Sequence, residues 1–202
     1  MRKKLGIILV AVGLAAILSA GGLNLYNFFE EESAAKDSNR IANLIISQIN
    51  GDGGLDLERT SNRPEGENDE MPLAMVDGEY YSGVLWIESL DLNIPVNRNL
   101  TYPNLKIAPC RYSGEAEDND FVIAAHNYKS HFGRIAELTD GDEMVYYDVS
   151  GAKYVYRVVG SSSVVQPTDV DEVADSEYDL TLFTCTYGGA TRVVVRAMKL
   201  NE

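Results

Sequence analysis

Cysteine and histidine are scarce in this chain, with two of each among 202 residues: Cys110 and Cys185, His126 and His131. No CxxC pair and no Cys/His cluster occurs, which argues against a structural zinc site. Positive charge is short as well. Seventeen lysines and arginines stand against 31 aspartates and glutamates, a formal charge of −14. Nucleic-acid binders carry a basic face, so that class of partner is disfavoured. No internal repeat is visible, and no cofactor is indicated by any motif.

What is present divides the chain. Residues 1–4 are basic, and an apolar run follows from Leu5 to Leu23, nearly continuous to Phe29, before Glu30-Glu31-Glu32. An uncharged apolar run of this length predicts a transmembrane signal-anchor over 5–29, with residues 1–4 as a cytoplasmic tail. The competing reading is a cleavable signal peptide ending near Ser19-Ala20-Gly21-Gly22, but the apolar run continues past that point. Residues 30–50 read as an amphipathic stalk helix. Ile41, Leu44, Ile45 and Ile49 fall at helical spacing, and Asn50-Gly51 supplies a stop. Residues 51–72 lose periodicity, are rich in Gly, Asp, Glu and Asn, and read as a flexible acidic tether.

Residues 73–202, about 130 in number, are enough for one core. The pattern there is mostly β. Short strand-like runs occur at 83–87, 92–96 and 121–125, and a hairpin is expected from 144–149 and 153–159 around Ser150-Gly151. Tyr154, Tyr156 and Val158 share one face by period-two alternation. Phe132, Ile135 and Leu138 suit one short helical turn. Many short strands separated by turns predict a barrel or sandwich.

The chemistry concentrates in residues 179–196. An apolar β-prone run ends on Cys185, a Gly-containing connection follows, and a second run opens with Arg192. As a hairpin, this brings a thiol and a permanently charged guanidinium to one end of a sheet, a plausible nucleophile site. An acid or base must come from elsewhere. His126 ends the apolar run 121–125, before the polar Asn127-Tyr128. Cysteine with a distant histidine is a candidate pair, although a strand-end histidine also serves structural roles. His131 reads as a cap or surface contact. Arg196 has the same strand parity as Arg192 and reads as a wall residue.

At these residues the sequence resembles a known family. Thr181-Leu182-Phe183-Thr184-Cys185 is similar to the Thr-Leu-x-Thr-Cys signature of sortases, the cysteine transpeptidases of Gram-positive cell walls. Phe121 to Asn127 resembles the strand and turn carrying that family's histidine, and Arg192 falls where its arginine is expected. The resemblance extends over most of Tyr81 to Leu200. It implies a closed sortase-like β-barrel with short helices and a catalytic set of His126, Cys185 and Arg192 meeting at one mouth. Cys185 is then the nucleophile toward a sorting motif similar to Leu-Pro-x-Thr-Gly or Asn-Pro-x-Thr-x. His126 is general acid and then base, and Arg192 stabilises the oxyanion. Leu182, Thr184, Asn127 and Tyr187 are expected to bind substrate or support the site. Alternation puts Thr184 on the face opposite Cys185, with Leu182 beside it in the core. The implied partners are surface proteins with a C-terminal sorting signal and a peptidoglycan-precursor amine. The implied location is the cell membrane, with the catalytic domain facing the wall.

Other readings stay open at this point. An exported peptidase that hydrolyses shares the same nucleophile, and a tethered binding module would leave it inert. No Asp-Pro-aromatic lid motif precedes the barrel and no apolar segment follows it, which points away from a pilin-polymerising enzyme and toward a class B-like or class D-like one. Cys110 is read first as a small buried residue, with a groove position or an oxidised bridge to Cys185 as alternatives. The acidic stretch 114–120 reads as a solvated loop in preference to a calcium site.

Overall fold

The computed structural model describes residues 2–51, 57–58, 72–169, 173 and 177–200. The chain forms two compact units, Met1–Ser33 and Ala34–Glu202. Helix α1 (Arg2–Ile49) begins in the first unit, where its apolar side chains are exposed. It is long and apolar enough to cross a membrane, with mean hydropathy 1.8 and none of that window buried. The span 5–29 and nearly all of 30–50 thus lie on one helix, and neither proline nor glycine occurs in residues 23–49. The expected tether, 51–72, falls almost wholly outside the described residues.

Within the second unit, α1 buries a stripe of Ala34, Ser38, Ile41, Ala42 and Ile45, while Leu44 is turned outward. The spacing of the stripe is that of one helical face. The helix ends where Asn50 N–H reaches the Ile46 carbonyl at 3.0 Å and Gly51, with φ +83°, reverses the chain. Its stripe meets Ala74 and Val76 of β2 (Leu73–Val76), Tyr81 and Val84 of β3 (Glu79–Ile87), and Val149. An exposed Arg40–Asp77 ion pair lies beside this contact.

Eight strands close into a barrel. In order around it they are β3, β4 (Leu92–Asn97), β5 (Cys110–Ser113), β6 (Phe121–Ala125), β10 (Leu180–Cys185), β11 (Arg192–Lys199), β8 (Lys153–Val158) and β7 (Glu143–Asp148), which returns to β3. The remaining strands are β1 (Leu57–Glu58) on β2 and β9 (Ser163–Val165) on β11. Closure occurs where β3 leaves β2 and meets β7, at Gly83. A Cβ there would stand 2.1 Å from the Tyr147 carbonyl oxygen, so only glycine lets the backbones approach. Inside, alternate residues meet: Leu85 and Ile87, Ile94 and Val96, Phe121 and Ile123, Leu180 and Leu182, Val195 and Ala197. Two buried tyrosines, Tyr146 and Tyr156, complete this core, and the Tyr146 hydroxyl bonds Ser82 Oγ at 2.9 Å. The expected sharing of one face by Tyr154, Tyr156 and Val158 holds, with Tyr154 only partly buried.

One six-residue helix, α2 (Tyr102–Ile107), crosses the outside of the barrel between β4 and β5. Thr101 caps it by accepting from Asn104 N–H at 3.2 Å, and proline occupies its first turn.

Candidate active site

Strands β6, β10 and β11 lie side by side, and their register lines up the residues singled out by the sequence. Ala125 pairs with Thr184, and Thr184 with Val193. One step further along, Cys185 pairs with Arg192, and His126 follows Ala125 at the end of β6. Side-chain alternation then decides the face. Leu180 and Leu182 point into the barrel. Phe183 points outward with Val122, Ala124 and Val194, so Cys185, His126 and Arg192 belong to the outer face. The three residues therefore sit at strand ends on the outer wall, above an apolar floor, and do not line the barrel's interior. Leu105 of α2, Tyr112, Val165 and Val173 flank that floor.

Thr184 occupies the inward position before Cys185. It is buried, and its hydroxyl donates to the Ala125 carbonyl at 2.8 Å. This bond ties the end of β10 to the residue that precedes His126. Leu182 is fully buried in the barrel core, where it supports the strand and has no access to a ligand. Cys185 is a free, half-buried thiol. Arg192 donates from Nη1 to the carbonyls of Gly189 and Thr191, both at 3.1 Å, so its guanidinium lies back along the connecting loop. That loop is closed by Thr186 N–H to Thr191 carbonyl at 3.0 Å and by the two threonine hydroxyls at 2.9 Å. Tyr187 stands at its tip, fully exposed.

The loop after His126 is compact. Phe132 N–H returns to the His126 carbonyl at 3.2 Å, and Gly133 N–H to the Tyr128 carbonyl at 2.8 Å. Asn127 is half-buried in this turn. A Cβ on residue 133 would stand 2.5 Å from the Asn127 carbonyl oxygen, so the fold requires glycine there. The His126 imidazole lies between two rings, Tyr128 at 5.1 Å and Tyr102 at 5.6 Å, the latter at an interplanar angle of 89°. Sequence reasoning missed Tyr102. Its only local signal is the Thr101-Tyr102-Pro103 order of a capped helix start.

His131 departs from the expected cap or surface role. It is fully buried, because the loop folds back and inserts it beside α2. Nε2 lies 3.2 Å from the Ile107 carbonyl and, facing an acceptor, carries the proton. Burial pushes its pKa down to about 4, so it stays neutral. Cys110 is also fully buried, with Sγ 3.5 Å from the Ala108 carbonyl, and burial pushes its thiol up to about 12. The oxidised bridge to Cys185 is ruled out by register. Cys110 pairs with Ala124, and Ala124 with Phe183. Two strand spacings, roughly 9.6 Å, already exceed the reach of a disulfide, about 7 Å between Cα atoms.

Arg196, opposite Thr181, lies with its guanidinium carbon 5.3 Å from the Tyr178 ring centre, a wall position. In the acidic stretch, Asp120 accepts from Glu115 N–H at 2.7 Å, and Glu115 lies 3.7 Å from Arg111. Lys199 donates to the Ala116 carbonyl and to Asn119 Oδ1. Among the described residues no group of three His, Cys, Asp or Glu is placed to hold a metal. Clefts of about 600 Å³, including Lys129, Ser130 and Arg134, and about 500 Å³, including Thr101 and Tyr112, are lined by none of His126, Cys185 and Arg192.

Comparison with known proteins bears on family and fold. The Sortase domain family profile matches residues 85–200. No curated protein sequence matches the chain. Among solved structures, a Clostridium perfringens sortase D5 transpeptidase is 23% identical with a TM-score of 0.53, covering 60% of this chain and 79% of its own. Sortase C of the same organism, solved with the C-terminal cell wall sorting motif, is 23% identical with a TM-score of 0.52, over 86% of this chain and 91% of its own. A point mutant of Streptomyces avermitilis sortase E is 27% identical with a TM-score of 0.51, over 60% and 88%. The matches span classes A, C, D and E.

Proposed function

This chain belongs to the sortase family, and from that premise we propose that it is a membrane-anchored transpeptidase that joins sorting-signal proteins to an amine of the cell wall. Family membership implies cysteine transpeptidase chemistry. The observation that carries the residue assignment is the single row of His126, Cys185 and Arg192 across three adjacent strands, on the outer face above an apolar floor.

In this reading the floor receives the apolar part of an extended sorting motif, of the Leu-Pro-x-Thr-Gly or Asn-Pro-x-Thr-x kind. The Cys185 sulfur attacks the threonine carbonyl carbon, and Arg192 donates to the developing oxyanion from its fixed fork. The peptide C–N bond breaks as His126 gives its proton to the leaving amine. The thioacyl enzyme remains. An incoming peptidoglycan-precursor amine then loses a proton to His126 and attacks the same carbon, and the C–S bond breaks to regenerate the thiolate. Tyr187 and Asn127, at the rim of the row, contact substrate in this scheme, and Thr184 holds the strand end. No metal or other cofactor takes part. A class B-like or class D-like enzyme is supported by the absence of an Asp-Pro-aromatic motif before the barrel and by the stalk stripe docked on β2 and β3. The apolar run of α1, preceded by basic residues, is a single-pass anchor with the catalytic unit outside.

The compact unit Ala34–Glu202 is the form to test, because removing the stalk would strip Ile41 and Ile45 from their contacts. It is incubated with a panel of sorting-motif peptides, and intact mass is recorded beside Cys185→Ala. A thioacyl adduct on the native protein, absent in the variant and transferred to an added amine, is the expected result. Release to water alone would make the protein a hydrolysing peptidase. No adduct with any peptide, with Cys185 inert to alkylation, would leave a binding module.

A further inference from the structure

We propose that Tyr102 is a positioning residue for His126, bracing the imidazole toward the Cys185 strand end from a separately anchored helix. The inference rests on the function assigned to His126 above. His126 follows the last residue of β6 and so stands where the strand gives way to a loop. Tyr128, one of its two ring partners, belongs to the same loop and moves with it. Tyr102 reaches the imidazole from another element, standing perpendicular to it in an edge-to-face arrangement.

The rest of α2 is built to hold that tyrosine still. A six-residue helix does not persist by itself, and here each turn is tied down. The Asn104 side chain is 4% exposed and donates from Nδ2 toward Glu79 Oε2 at 2.9 Å and the Asn99 carbonyl at 3.2 Å. Leu105 rests on the outer floor and Ile107 on the stalk contact. The Ile107 carbonyl receives Nε2–H of buried His131, from the same loop that carries His126. Loop and helix are thereby fixed to each other at their far ends, while Tyr102 meets His126 at the near end.

Burial does not account for Tyr102, which is 67% exposed. Lys106, one turn on, stands 5.4 Å from its ring centre and helps hold the ring in place. A side chain so exposed contributes little to folding, which leaves its contact with the imidazole as its physical role. A misplaced general acid loses alignment with the leaving nitrogen, so the loss falls on turnover and not on substrate binding.

The test uses the full chain in detergent, with Tyr102→Phe and Tyr102→Ala. Transfer of a sorting-motif peptide to an amine gives kcat and KM. With only two histidines in the chain, ¹³C-labelled histidine gives one ring signal for His126 and one for His131, the latter reporting on the fold. The expected result is a kcat lowered roughly tenfold in Tyr102→Ala with KM within about twofold, restored in Tyr102→Phe. The His126 signal should shift in Tyr102→Ala while that of His131 stays in place. An unmoved His126 signal, or a change confined to KM, overturns the proposal. If the native chain transfers no peptide, the assigned function fails, and the histidine signals alone then decide the bracing contact.

Discussion

Each of the two scarce reactive residue types divides between two regions. Cys110 and His131 lie in the interior, fully buried, with burial pushing the thiol up to about 12 and the imidazole down to about 4. Cys185 and His126 lie half-buried on the outer wall, at the ends of neighbouring parallel strands. Both interior groups are held neutral by desolvation and hydrogen-bonded or close to backbone carbonyls. The outer pair lies half-buried at strand ends, with Arg192 opposite Cys185 in register. Residue type therefore does not assign chemistry in this molecule; position relative to a strand end and the closed barrel does.

The sharpest way to break that comparison is alkylation. Cys110 should react roughly a thousandfold more slowly at pH 8 than an unperturbed thiol, from its raised pKa alone. Iodoacetamide followed by intact mass should give one fast addition in the native protein. That fast addition should vanish in Cys185→Ala and persist in Cys110→Ala. Fast labelling at Cys110 in folded protein would mean that the interior is open.

His131 sharpens the contrast through pH. Its folded value, about 4, lies below the ordinary 6.5, so above pH 6.5 it is neutral whether folded or unfolded. As pH falls from 6.5 toward 4, the unfolded chain takes up a proton that the folded chain refuses, and stability is lost. The loss amounts to roughly 3 kcal/mol once pH is below about 4. Urea midpoints at pH 7.5 and 4.5 should therefore differ more for the native protein than for His131→Phe. Equal differences would place His131 in contact with solvent. The smallest effect is at the seam between the regions. Thr184→Val keeps the shape but removes the bond to the Ala125 carbonyl, at about 1 kcal/mol in stability. It should lower turnover of a sorting-motif peptide several-fold, and unchanged kinetics would mean that the bond does not align the strand ends.

The sequence made some of this legible and hid the rest for physical reasons. Strands β6, β10 and β11 could be read because each is an apolar run marked at one end by a residue of distinct type: His126 after β6, Cys185 closing β10 and Arg192 opening β11. Phe132, Ile135 and Leu138 were likewise legible, and all three are buried around one short turn. Helix α2 was not, since six residues with a proline in the first turn carry no periodicity. Strand β5 has four residues without alternation, and its pairing with β4 rests on a single residue pair, Asn97 with Cys110. The outer-wall location of the row depended on which strands are neighbours. The β6–β10 pairing is parallel and non-local, and no local pattern encodes it.

That pairing also bears on how the protein matures. Thr184 and the Ala125 carbonyl it bonds are 59 residues apart in the chain. Closing a loop of such length carries a chain-entropy penalty, and contacts so distant in sequence form slowly. During synthesis the histidine strand emerges well before the cysteine strand. A partly folded chain thus carries His126 without the strand that bears Cys185, and the row of His126, Cys185 and Arg192 is complete only when the last strands dock.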